Sequence, residues 1–227
     1  MAKRSNSFNG GTSGAAITLD NSGGASGDAL DTYSEGTAPV FSAVRSYSGS
    51  LSAYCADEYT SMKWSFTGGT TIYTRQHLYL TAYPGDSELF SIGTASNTVR
   101  GLRLSSSGQL SLWNYLTSFT PVVTLTSAVV PLNRWVRVET RTGINVASPA
   151  HEIRLALNPA LADYQSASAT GTQTTQTPTS YSFMPPALSW CDDLSVSDEG
   201  WIGMLAVANE PRPAVLTAAA VQRSTCW

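Results

Sequence analysis

Thr71-Ile72-Tyr73-Thr74-Arg75-Gln76-His77-Leu78-Tyr79-Leu80-Thr81-Ala82-Tyr83 is the stretch whose reading decides the fold. Ile72, Leu78, Leu80 and Ala82 fall on one alternation, and Tyr73, Arg75, His77, Tyr79 and Tyr83 on the other. Successive side chains of an extended chain point to opposite faces. A period of two therefore sorts these residues into an apolar face and an aromatic, basic one. The stretch predicts a long half-buried strand with Tyr73, Arg75, His77 and Tyr79 on its outward side. Pro84-Gly85-Asp86 then closes it as a turn.

The same texture continues on both sides. Strands are predicted at 15–19, 38–43, 51–56, 62–66, 88–93, 98–104, 109–115, 122–126, 134–141, 152–157, 180–184 and 188–197. Turn dipeptides such as Ser107-Gly108 and Thr142-Gly143 separate several of them. Short strands at this spacing read as an all-β sandwich. Residues 158–162 suit a single helical turn, and the Thr/Gln-rich run 170–179 reads as a polar loop. No stretch before 204 carries a convincing helical period.

Composition removes several classes. Of 227 residues only 13% are charged, while 42% are hydrophobic, and helix-favouring Lys and Glu are scarce. No heptads exist for a coiled coil and no apolar run is long enough for a membrane helix. Six Trp, ten Tyr and six Phe supply core material that a disordered chain lacks. A net charge of -3 argues against nucleic-acid binding. Cys55, Cys191 and Cys226 lack metal-ligand spacing and read as free thiols or at most one bridge. No apolar signal segment follows Lys3-Arg4, yet the low-charge, Ser/Thr/Gly-rich texture suits work outside a cell. A trimmed chain, a module of a larger exported protein and a virion protein released by lysis all reconcile the two; the opening Met favours the last.

His77 and His151 are the two histidines, no G-x-S-x-G elbow surrounds a serine, and His151 is expected in a loop beside Pro149. Glycoside hydrolysis needs two convergent carboxylates; the Glu-x-Asp-x-Glu pattern that would set them on one strand is absent, and the acidic candidates on strands are Glu139, Glu152, Asp192 and Asp193. Glu139 shares its face with Arg137 and Arg141, which suggests surface pairing. Tyr73, Arg75, His77 and Tyr79 could serve a lyase, which uses such groups in place of carboxylates. The same four also suit sugar binding, which needs flat rings with polar edges, and Trp113 with Tyr115 offers a second pair. The alternative for Trp113 is a place in the core. Asp192-Asp193 lies within an apolar strand, where a carboxylate is costly unless it is hydrogen-bonded or metal-bound. Both readings stand: satisfied structural aspartates, or ligands of calcium.

Three segments carry a family resemblance. They are Phe8-Asn9-Gly10-Gly11 with Asn21-Ser22-Gly23-Gly24-Ala25-Ser26-Gly27-Asp28-Ala29; Leu132-Asn133-Arg134-Trp135-Val136-Arg137-Val138-Glu139; and Trp190-Cys191-Asp192-Asp193-Leu194-Ser195-Val196-Ser197. Together they resemble the concanavalin A-like jelly roll in its laminin-G-like form. Gly200-Trp201-Ile202-Gly203 is similar to the tail of actinobacterial and actinobacteriophage surface versions. The resemblance implies an all-β jelly-roll sandwich of two antiparallel sheets over 7–203, after a lead at 1–6. It also implies a structural calcium held by Asn9 with Asp192 or Asp193, although Asn9 stands where an acidic residue is common.

Residues 204–227 form a C-terminal arm in this reading. Its run 214–221 is small and apolar and needs a surface to cover it. The expected function is a non-enzymatic virion component of a bacteriophage, capsid-decorating or tail-associated. Its partners would be neighbouring virion proteins or copies of itself through the arm, with glycan as a further ligand. The alternative is an exported, extracellular bacterial carbohydrate-binding or polysaccharide lyase domain.

Overall fold

The period-two stretch is the longest strand, β6 (Thr71–Leu80), and it lies inside the larger of two sheets. The computed structural model describes residues 3–33, 36–57, 61–116, 118–172 and 174–204. Before β6 come β1 (Arg4–Asn6), β2 (Thr32–Tyr33), β3 (Val40–Ser42), β4 (Ser52–Cys55) and β5 (Met62–Ser65). After it come β7 (Ser87–Gly93), β8 (Thr98–Leu104), β9 (Leu110–Asn114), β10 (Thr120–Thr124) and β11 (Trp135–Gly143). The last four are β12 (Ala150–Ala156), β13 (Gln165–Thr170), β14 (Ser180–Phe183) and β15 (Ser189–Ser197).

Eight strands form one sheet in the order β13-β12-β11-β6-β15-β4-β3, with β1 also on β15; seven form the other, β10-β9-β8-β7-β14-β5-β2. Every pairing is antiparallel. Antiparallel sheets that bury one face each against the other make a sandwich. The first sheet contributes Ile72, Leu78, Val136, Val138, Ile153 and Leu155 to the interior, all fully or almost fully buried. The second answers with Trp64, Phe90, Ile92, Leu102, Leu112 and Phe183. Each such aliphatic or aromatic side chain stabilises the fold by roughly 1.5–3 kcal/mol on burial.

The structure departs from the sequence reading in several places. Residues 15–19 make only the isolated bridge Ala16–Val40 rather than a strand. β13 stands where the sequence suggested no strand, because Gln-Ser-Ala-Ser-Ala-Thr alternates without any large apolar residue. It is an edge strand whose small side chains lie on β12. His151 belongs to β12 instead of a loop; it is fully buried on the core side. Arg4–Asn6, inside the expected lead, pairs with the closing strand at Leu194–Val196 and is part of the sandwich. Cys55 and Cys191 are free and buried; Cys226 and the arm beyond Met204 lie outside the described residues.

Candidate functional site

The antiparallel register of β15, β6 and β11 aligns four rows of side chains across the outward face of the larger sheet. Trp190, Tyr79 and Trp135 form one row, and Asp192, His77 and Arg137 the next. Then come Ser195, Arg75 and Glu139, and finally Ser197, Tyr73 and Arg141. A bulge in β15 between Asp192 and Ser195 shifts the register there. Asp193 sits in it with φ 48°, a left-handed conformation that Asp tolerates better than most residues.

Tyr73, Arg75, His77 and Tyr79 do share one face, but that face is roofed. The loop 43–50 lays the Tyr47 ring on His77, centroids 3.9 Å apart and 14° from parallel. The segment after β15 lies beside it. Gly203 donates its N–H to Glu139 Oε1 and accepts from Arg75 through its carbonyl. Trp201 packs edge-on against Tyr73 and lies 3.4 Å under the Arg154 guanidinium. Arg75 is left 2% exposed and His77 0%. Burial, then the charges of Arg75 and Arg137, hold His77 well below its ordinary range, so the ring is neutral. Glu139 is also buried, with Oε2 3.4 Å from Arg137 Nε. The expected surface pair is therefore an interior one, made interior by the roof.

Asp192 and Asn9, two of the three residues expected to hold calcium, fasten this roof. Asp192 Oδ2 accepts the backbone N–H groups of Tyr47 and Ser48, and Oδ1 accepts that of Asp193. Burial and the neighbouring Asp193 carboxylate push the Asp192 carboxyl upward, against the pull of these donors. Asn9 Oδ1 accepts from Ser50 and Leu51, while Nδ2 donates to the Ser48 carbonyl. Gly49 serves the same contact: it has φ +66°, and a Cβ there would stand 2.4 Å from Asn9 Oδ1. A calcium ion needs free oxygens converging on one point. Here the oxygens of Asp192 and Asn9 already face N–H donors, and Arg75 and Arg137 stand among them. Only Asp193 Oδ2 lacks a donor; it is 3.8 Å from His77 Nδ1. No group of three or more His, Cys, Asp or Glu able to hold a metal occurs among the described residues. The residues present do not fit the ion.

The second predicted pair, Trp113 and Tyr115, lies on the other sheet, where the outward face is open. Phe119, at the start of the segment leading into β10, is 58% exposed and packs against both rings, with centroids 4.8 and 5.1 Å away. Arg103 of β8 extends its guanidinium to 5.3 Å from the Trp113 ring and 5.3 Å from Phe119. Tyr115 donates its hydroxyl to Glu88 Oε2 at 2.7 Å. Burial raises both groups, so Tyr115 stays protonated as the donor. Trp113, Phe119 and Arg103 border a groove of about 340 Å³ whose rim carries Asp86, Gln109 and Ser111. Trp113 is neither core nor free: it is half-buried, with Nε1 donating to Ser111 Oγ.

Phe119 and Arg103 are site residues that the sequence reading missed. Phe119 stands outside any alternation, and its place follows from the register that sets Pro121 opposite Trp113. Arg103 belonged to a predicted strand but looked like an ordinary surface charge. Also missed was the row Tyr54–Trp190–Tyr79–Trp135 across four strands of the larger sheet. Arg45 of the roof loop stacks on two of its rings, at 4.5 Å from Trp190 and 4.7 Å from Tyr79.

No protein-family model and no curated protein matches the chain. Solved structures do. Domain 4 of AbnA, a GH43 extracellular arabinanase from Geobacillus stearothermophilus, in complex with arabinotriose, is similar with a TM-score of 0.55 at 12% identity; the match covers 85% of this chain and 90% of that one. The exoplasmic/lumenal domain of VIP36 in its Ca2+/Man-bound form is similar with a TM-score of 0.50 at 10% identity, over 76% of this chain and 84% of that one. The fold is thus an all-β sandwich of two antiparallel sheets. More narrowly, it is the concanavalin A-like jelly roll.

Proposed function

We propose that this chain is a carbohydrate-binding domain without catalytic activity, and that it takes sugar in the groove beside Trp113 and Phe119. One observation carries this reading: the exposed ring of Phe119 beside half-buried Trp113, edged by a guanidinium and by amide, carboxylate and hydroxyl groups, on the outward side of the smaller sheet. Sugar rings present C–H faces that stack on such rings and hydroxyls that reach such edges. A groove of about 340 Å³ is at the small end of ligand sites and suits one or two sugar units. The bound sugars of the two similar structures support the class of ligand. Support for binding over cleavage comes from the other sheet, where Arg75 and His77, the groups a lyase would use, are sealed from any polymer.

The setting we infer is the surface of a bacteriophage particle, which rests on the resemblance of the closing strand and of Gly200–Gly203. Many copies on one particle would turn weak single-site binding into firm attachment. A glycan array followed by titration calorimetry, with arabinotriose and mannose among the probes, tests the binding. Affinity should fall in Trp113→Ala and Phe119→Ala and persist in His77→Ala. An unsaturated sugar product released by the wild-type chain would overturn the non-catalytic reading. Copurification with intact phage particles tests the setting.

A further inference from the structure

A second groove lies on the outward side of the larger sheet, beside the roof. It holds about 260 Å³ between the end of β12, the loop 158–163 and the start of β13. Leu157, Leu161 and Tyr164 give it an apolar wall, with Leu161 51% exposed, and Arg134, Asn158 and Asp163 a polar one. Asn9, Asp192 and the sugar groove play no part in it. The exposed apolar side of this recess stands open unless something covers it.

We propose that the apolar segment 214–221 of the same chain occupies this groove. The described chain leaves the sheet next to it. Glu139 holds the N–H of Gly203, and Arg137, the adjacent same-face residue on β11, donates to the carbonyls of Pro159 and Leu161. Adjacent same-face positions on a strand are about 7 Å apart. Trp201 and the groove residue Tyr164 also stack on the one guanidinium of Arg154, at 3.4 and 4.5 Å. The ten residues from Met204 to Ala214 span up to about 33 Å when extended, which is ample for so short a crossing.

The sequence of the segment matches the recess. Ala214-Val215-Leu216-Thr217-Ala218-Ala219-Ala220-Val221 is uncharged and narrow enough for a shallow groove. The two charges before it in the sequence, Glu210 and Arg212, are opposite in sign to Arg134 and Asp163 of the groove's lining. Attachment close to the groove gives the segment a high effective concentration there, which favours docking in the same chain over a second copy.

Two measurements on the full chain test this. In a Cys226→Ser background, Leu161→Cys with Ala218→Cys should oxidise to a disulfide within one chain. A control pairing Thr126→Cys, exposed just after β10 of the other sheet, with Ala218→Cys should not. Tryptic cleavage after Arg223 should be slow in the wild type and about tenfold faster in Leu161→Asp, equivalent to about 1.4 kcal/mol of docking. Leu161 is exposed, so the substitution leaves the sandwich folded, and unchanged circular dichroism verifies that. Equal cross-linking in the control, cross-linked dimers in place of monomers, or equal cleavage of wild type and variant would each overturn the proposal.

Discussion

The outward faces of the two sheets began as equals: each carries aromatic rings and arginines in strand register. In the folded chain they differ completely. The larger sheet is roofed by 43–50 and by the segment after β15, and its Arg75, His77, Arg137 and Glu139 are interior groups. Among the described residues the smaller sheet has no such cover over Trp113, and Phe119 extends its aromatic surface to solvent. Similar residue types thus become interior structure on one face and stay at the surface on the other, where we propose that sugar binds. What separates them is whether a distant loop finds hydrogen-bond acceptors to hold it down.

The largest expected effect removes that cover. Asp192→Ala leaves the N–H groups of Tyr47, Ser48 and Asp193 without their acceptor. Unmet buried donors cost about 1–3 kcal/mol each, and partial rehydration of the loop offsets some of it, so urea denaturation should show a loss of ~3 kcal/mol. A loss below ~1 kcal/mol would mean that the roof is held otherwise. Acid sharpens the contrast next. Burial lowers His151 from the ordinary 6.5 to about 4, and His77 moves in the same direction. The unfolded chain therefore binds protons that the folded chain refuses. The histidines' contribution is complete above pH 6.5 and declines as pH falls toward about 4, by up to ~3 kcal/mol for His151 alone, while the Asp192 carboxyl, raised to about 8, binds its proton more readily in the folded chain and gives the opposite slope over the same range. His151→Asn should flatten that decline in denaturation curves taken across the range; an unchanged slope would assign it to other groups.

The open face should respond in the opposite currency. Trp113→Ala should weaken sugar binding by ~2 kcal/mol, about thirtyfold, with a smaller change in unfolding free energy. His77→Ala should do the reverse, destabilising the fold while leaving calorimetric affinity within error. If His77→Ala abolished binding in a chain that remains folded, the roles of the two faces would have to be exchanged. The smallest effect is reserved for Phe119→Ala. Stability should stay within ~0.5 kcal/mol of wild type because the ring is exposed, and affinity should fall by ~1 kcal/mol.

Much of the scaffold was legible along the chain. β5, β6, β8, β14 and β15 lie where the alternation of Trp64, Ile72, Leu102, Tyr181 and Val196 with polar neighbours placed them. β13 was not, because Ser and Ala carry too little hydrophobic contrast to mark a face, and its pairing with β12 supplies what its side chains do not. The site was half legible. Trp113 and Tyr115 were visible as a same-face pair; Phe119 and Arg103 join them only through the pairing of β8, β9 and β10. Asp192 was recognised as a carboxylate that must be satisfied. The identity of its partners, backbone amides some 145 positions away, was beyond any local pattern.

By itself the sequence determined that β6 has two unlike faces, that the chain is built from strands, and which side chains point the same way. These follow from the period-two geometry of extended backbone, a property of neighbours. Tertiary structure alone decided which outward face meets water. That choice depends on Tyr47 reaching His77 and Gly203 reaching Glu139 and Arg75, contacts between segments far apart in the chain, and periodicity carries no information about what will lie above a face.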